Sequence, residues 1–245
     1  DVSIEQLQPT KGIISLQGQA VSPLQMKHKK ANTLSIRSKD GFNLEFAGAS
    51  VESVSYGKRI ISCNAPSGFI VRDFKKNSDY YGFSKIKSSK DLISAECTEL
   101  GITLKARVKA VDNYIKVTGR VSDITGKDRA INMMFALPIN ALGWTWWVDI
   151  RRCKTISVNG KSGMEYINQN DLPCGSTSTA SVYPICAITG PKDGLSIGLD
   201  WGKVGVNRVF YNAGTRQLAI AYDFALVRDT KNFPSSADFS FVIYR

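Results

Sequence analysis

The chain is 245 residues long, carries 32 Lys and Arg against 21 Asp and Glu for a net charge of +11, and is 43% hydrophobic with 22% charged residues. A chain of this size buries most of the surface its unfolded form exposes, and this composition excludes wholesale disorder, collagen-like repeats and coiled coils. Its one histidine, His28, excludes mechanisms built on two histidines and any His-rich zinc or iron site, so no cofactor and no metal are implied.

Residues 1–32 read as a polar edge segment with one short strand near Gly12 to Leu16. It opens at Asp1 with neither an initiator Met nor a signal-like start, as a processed or excised protein would. His28 sits in Lys27-His28-Lys29-Lys30, where surrounding charge disfavours its protonation and nothing orients the ring as a catalytic base.

Strands follow at Thr33 to Arg37, Phe42 to Phe46, Ser50 to Tyr56 and Arg59 to Cys63, separated by turns such as Lys39-Asp40-Gly41 and Tyr56-Gly57-Lys58. Gly68 to Phe74 is the next, and there Asp73, beside Arg72, reads as part of a structural ion pair. After Leu92 to Cys97 comes the clearest pattern of the chain. In Ile102 to Ala110 the even positions are apolar while the odd ones are Thr103, Lys105, Arg107 and Lys109, giving one dry face and one wet cationic face. Asp112-Asn113 supplies the turn and Tyr114 to Val121 alternates again, so the two strands form an antiparallel hairpin. The cationic row has no interleaved aromatic residue to stack bases, so it reads as a solvated sheet face and nucleic acid is not an expected partner. Ala130 to Leu137 closes this run of strands.

From Leu142 to about residue 180 the strand rhythm breaks, and a connection this long in a β domain marks the functional face. It holds Trp144, Trp146 and Trp147. The first two have strand spacing and share a face while Trp147 points to the other; at least one face packs in the core, or one serves as a platform for a sugar ring, with Asp149, Arg151 or Arg152 bonding its hydroxyls, so all three tryptophans are candidate ligand-binding residues. Gly160-Lys161-Ser162 lacks the earlier glycine of a phosphate-binding loop, because that position is Thr155. Asp149, Glu165, Asp171 and Asp200 lie in or near the region and each reads first as a solvated or turn-capping carboxylate; a pair of them, Asp149 with Glu165, is the catalytic alternative because glycoside hydrolysis needs only two carboxylates. The remaining strands are Val182 to Ile188, Gly194 to Leu199, Val204 to Tyr211, Leu218 to Phe224 and Ala237 to Tyr244.

Helical apolar spacing is missing throughout, so the expected fold is all-β: one large two-sheet antiparallel sandwich spanning residues 1–245. The five cysteines, Cys63, Cys97, Cys153, Cys174 and Cys186, show no C-x-x-C spacing and read as small buried hydrophobes, with Cys153 and Cys174 the pair to test for a bridge. No apolar run is long enough for a transmembrane helix.

Five segments together resemble one family: Gly68 to Asp73, Trp144 to Ile150, Gly163-Met164-Glu165-Tyr166, Tyr183 to Ile188 and Gly194 to Leu199, with the ending Asp229 to Pro234 and its final strand. They are similar to the galactose-mutarotase-like β-supersandwich that stands N-terminal to glycosidase-like (β/α)-barrels. The resemblance implies a carbohydrate-related module, non-catalytic by itself, within a secreted or surface-bound glycoside hydrolase or other carbohydrate-active protein; a purely structural scaffold is the further alternative. It implies carbohydrate as ligand and a C-terminal (β/α)-barrel as partner domain. The catalytic histidines of the true mutarotases have no counterpart, since His28 precedes the matching region, so no catalytic residue carries over. The Trp144 to Asp149 segment corresponds to the family's characteristic loop.

Overall fold

The computed structural model describes residues 33–157, 166–170, 183–200, 202–203, 205–228, 230 and 234–245. The predicted strand at Gly12 to Leu16, His28, Glu165, Asp171 and Cys174 lie outside them. Every element is a strand: β1 Thr33–Arg37, β2 Phe42–Ala47, β3 Ser50–Tyr56, β4 Arg59–Ile60, β5 Gly68–Asp73, β6 Tyr81–Gly82, β7 Lys85–Ser89, β8 Leu92–Cys97, β9 Ile102–Val111 and β10 Tyr114–Asp123. They continue as β11 Arg129–Pro138, β12 Thr145–Trp147, β13 Cys153–Thr155, β14 Tyr166–Gln169, β15 Ile185–Thr189, β16 Gly194–Leu199, β17 Val206–Asn212, β18 Gln217–Leu226 and β19 Ser236–Tyr244. The Trp-rich region thus contains three short strands, β12 to β14, that the sequence reading missed. Three or four residues are too few for alternation to stand out from a loop.

Two antiparallel sheets form the sandwich, one of nine strands in the order β13-β12-β15-β16-β19-β10-β9-β8-β7 and one of six in the order β14-β17-β18-β11-β5-β6. The predicted hairpin is β9–β10, with Val117 opposite Val108 and Lys116 opposite Lys109. β1 to β4 make a separate four-stranded sheet. Aromatic rings join the layers: Phe135 of β11 lies 5.2 Å from Phe241 of β19 and 6.3 Å from Phe46 of β2, and Phe69 of β5 lies 6.1 Å from Phe239. β11 is buried on both faces, which is why Ile131 to Leu137 reads as a nearly unbroken apolar run. At the start of β5 the chain crosses the Ala49–Ser50 backbone, and Gly68 has φ +77° with Ala49 O only 2.1 Å from where a Cβ would stand. Only glycine fits that crossing.

Asp73 is part of a structural ion pair, as its sequence context suggested; its partner is Arg129, since the adjoining Arg72 faces the opposite way. Asp73 Oδ2 lies 3.0 Å from Arg129 Nη1, and Arg129 Nε lies 3.3 Å from Asp123 Oδ1, with all three side chains at most 1% exposed. The Arg129 guanidinium also donates through Nη2 to Leu100 O. Asp73 caps the turn after β5 by accepting from Lys75 N, and Asp123 caps the β10–β11 turn by accepting from Thr125 N and Lys127 N. Arg129 Nε and Nη1 face these carboxylates as close charges without aligned hydrogen bonds. One buried cation therefore holds two turns at one end of the sandwich.

Candidate functional site

β12 carries the central tryptophans, and its pleat separates them. Trp146 points inward at 0% exposure, with its ring edge-on to Tyr166 at 6.5 Å and 64°. Tyr166 in turn meets Tyr211 at 6.3 Å. This corrects the expectation that Trp146 could serve as a sugar platform: a ring closed in on both faces has none to offer. Trp144, just before the strand, is half-buried against the same core, and its ring lies over Gly190, where a Cβ would come within 2.5 Å. Trp147 points the other way, onto the outer face of the nine-stranded sheet, and its Nε1 donates to Thr189 Oγ1 at 2.8 Å.

Beside Trp147 is a groove of about 360 Å³ whose walls include Asp149, Ile150, Ile185, Ala187 and Thr189. Ile150 stands 68% exposed at the rim. Ile185, Ala187 and Thr189 are the outward positions of β15, and Trp147 is cross-strand from Ala187. Their alternation was visible, but nothing local tells which face of β15 meets Trp147. Cys186, buried beneath, has its thiol pushed up to about 12 by burial and is unreactive. Cys63, Cys97 and Cys153 are also free thiols, and Cys153 is exposed.

Asp149 closes its own turn. Oδ1 accepts from Arg151 N at 2.8 Å and Arg152 N at 2.9 Å, and Oδ2 accepts from Arg152 Nε at 2.7 Å. The Arg151 N–H foremost, then the Arg152 guanidinium and N–H, hold its carboxyl below the usual range against the opposing effect of burial. A glycosidase acid needs the opposite shift, and an occupied carboxylate is a poor partner for sugar hydroxyls. Asp149 is therefore a turn cap, the structural role its sequence context already offered, and its lowered carboxyl is unsuited to act as the general acid. Arg151 and Arg152 both have exposed side chains on that turn.

Because the folded pKa is depressed, the Asp149 contribution to stability is complete above the unfolded value near 3.8 and fades as pH falls through the lower folded value. The difference in urea midpoint between wild type and Asp149→Asn is expected to be constant from neutral pH to about 4 and to shrink below it. A difference that grows on acidification would contradict the capping role. Asp200 is likewise engaged, by Gly202 N at 3.1 Å, Ser240 Oγ at 2.9 Å and Lys116 Nζ at 3.1 Å, with the Gly202 N–H the chief cause of its lowered pKa.

A second polar constellation, absent from the sequence reading, lies on the outer face of the six-stranded sheet. Asp223 Oδ1 accepts from Arg208 Nη2 at 2.6 Å and Asn132 Nδ2 at 2.7 Å, and Tyr80 OH donates to Asn132 Oδ1 at 3.1 Å. Arg72 donates to Asn77 Oδ1 at 3.0 Å, with its guanidinium 5.0 Å from the Phe74 ring centre and 5.7 Å from that of Tyr80. Burial pushes the Tyr80 phenol up to about 12 against the pull of Arg72 and Arg208. The network ties β5, β11, β17 and β18 together through residues up to 91 positions apart, a span no local pattern reveals. Among the described residues no group of three or more His, Cys, Asp or Glu could hold a metal ion, and no helix is long and apolar enough to cross a membrane.

No family model and no curated protein sequence matches the chain. Among solved structures, the Slr1438 protein from Synechocystis sp. PCC 6803 superposes with a TM-score of 0.50 at 9% identity, over 88% of this chain and 96% of that one. A galactose mutarotase-like protein from Lactobacillus casei ATCC 334 gives 0.48 at 9% identity, over 87% of this chain and 99% of that one. A xanthan lyase from Paenibacillus gives 0.40 at 11% identity, over 84% of this chain and 20% of the lyase. The sandwich architecture is shared with the Slr1438 protein. At such identities the likeness is one of fold.

Proposed function

We propose that this sandwich is a carbohydrate-binding module, not catalytic by itself, that receives a sugar on the outer face of its nine-stranded sheet. In this reading it belongs to a secreted or surface-bound carbohydrate-active protein and stands beside a (β/α)-barrel. One observation carries it: Trp147 presents its indole at an open groove of about 360 Å³, with the ring steered by Thr189. A flat apolar ring face with a hydroxyl and exposed guanidinium groups nearby matches a pyranose, which is apolar across its ring and polar around its rim.

The hydrolase alternative is weaker, because the Asp149 carboxylate is already engaged by its own turn. A scaffold role draws support from the apolar groove walls and exposed Ile150, which would suit a neighbouring domain. Titration of Trp147→Ala against the ligand found on a glycan array separates the two. A sugar site predicts a loss of affinity of about tenfold or more, as for an aromatic anchor at the centre of a contact, with the unfolding midpoint little changed. Unchanged glycan affinity would remove the sugar role from Trp147.

A further inference from the structure

The outer-face position of Trp147 continues through cross-strand partners over the nine-stranded sheet. Trp147 is cross-strand from Ala187, Ala187 from Ser196, Ser196 from Tyr244, and Tyr244 from Tyr114. At about 4.8 Å per strand, four steps carry this line roughly 19 Å, from the tryptophan to a tyrosine pair. The Tyr114 and Tyr244 rings lie 5.2 Å apart at 44°, and Tyr244 is 37% exposed.

Beyond the tyrosines the same face turns cationic. The cations of β9 do not alternate with acids on β10: Lys109 is opposite Lys116, and Lys105 is opposite Arg120. Lys87 of β7 lies in the Lys105 row, through Ser94 of β8. Like charges directly opposite destabilise a sheet. The acids of this face offset part of the charge: Asp91 is shared between Arg107 at 3.4 Å and Lys109 at 3.5 Å, Glu96 serves Lys85 at 2.9 Å, Asp200 serves Lys116, and Asp238 serves Arg120. Lys105 and Lys87 have no carboxylate partner among the described residues. The face thus keeps a cationic excess centred on Lys105 and Lys87.

We infer that this face holds a linear acidic polysaccharide, with pyranose rings on Trp147 and the tyrosine pair and sugar carboxylates on the Lys105, Arg107 and Lys109 rows. The inference rests on the sugar-binding reading of Trp147 and adds the class of glycan. Charge complementarity selects a polyanion, and the long flat face selects a chain over a single sugar. The aromatic rings stand at one end and the cations at the other, whereas a single-stranded nucleic acid needs them interleaved so that bases stack while phosphates pair.

The test titrates the full chain with polygalacturonate, with its fully methyl-esterified form as the uncharged twin, and with single-stranded homopolymeric DNA. The expected result is binding to polygalacturonate about tenfold or more tighter than to the ester, weakening with salt. The exposed double variant Lys105→Gln/Lys109→Gln should erase most of that preference while leaving the ester unaffected, and Trp147→Ala should weaken both sugar polymers alike. Equal affinity for acid and ester, or a preference unchanged in the double variant, overturns the acidic-glycan assignment and leaves sugar binding standing. DNA binding as tight as polygalacturonate and indifferent to Trp147 also overturns it, making the face a general polyanion surface. Failure to bind either sugar polymer overturns it together with the reading it rests on.

Discussion

Trp146→Ala is expected to lower the unfolding free energy by about 3–5 kcal/mol, the cost of emptying a large aromatic site in a core that only partly collapses. The ring is fully enclosed and sets the edge of Tyr166, which in turn meets Tyr211, so its removal unseats a stack that links the two sheets of the sandwich. Tyr166 also holds the chain beyond β13, accepting from Ser157 N at 2.7 Å. Urea denaturation measures the loss. The neighbouring Trp147→Ala provides the contrast, because its side chain lies on the outer face and its loss should appear in ligand affinity. A Trp146→Ala protein with a wild-type midpoint would mean that the ring is not the keystone its burial indicates.

Arg129→Ala is the second large effect, expected at about 3–5 kcal/mol because it strands two buried carboxylates. Asp73 and Asp123 are at most 1% exposed, and each already spends hydrogen bonds on its own turn. Arg129→Lys should recover only part of the loss. A single ammonium cannot approach Asp73, Asp123 and Leu100 O at once with the spread of a guanidinium. Replacing all three ionic residues by apolar ones of similar volume should cost less than Arg129→Ala alone, since the penalty belongs to the uncompensated charge. Equal losses for Arg129→Lys and Arg129→Ala would show that the fork geometry is what matters. A loss under about 1 kcal/mol for Arg129→Ala would show that solvent reaches the carboxylates.

Much of the architecture was legible where its cause is local. The β9–β10 hairpin follows from alternation around Asp112-Asn113, and Asp112 adopts φ +50° in that turn, as its residue type allows. The site was half legible. Grouping Trp144 with Trp146 on one face and Trp147 on the other follows from the pleat, and the core is one of the two places considered for the first pair. Of the roles open to Asp149 from its sequence, folding selects the turn cap over the sugar ligand: it sits two and three residues before the amides it holds, an Asx pattern that its spacing already contained. Asp73 forms the structural ion pair expected of it, but with Arg129, 56 positions away, a partner no local pattern names, while the pleat sends the adjoining Arg72 to the opposite face.

The sequence by itself determined an all-β chain of hairpin-linked strands and the oddness of the Trp-rich stretch, because each depends on residues near one another or on composition. Only the tertiary structure decided which strands become neighbours. β16 pairs with β19 and β19 with β10, joining Tyr114 to Tyr244 across 130 positions, and those pairings align Trp147, the tyrosine pair and the cationic rows on one surface. Strand alternation assigns a side chain to one of two faces. Which face turns to the core, and what stands next to it there, follows from how the sheets pack.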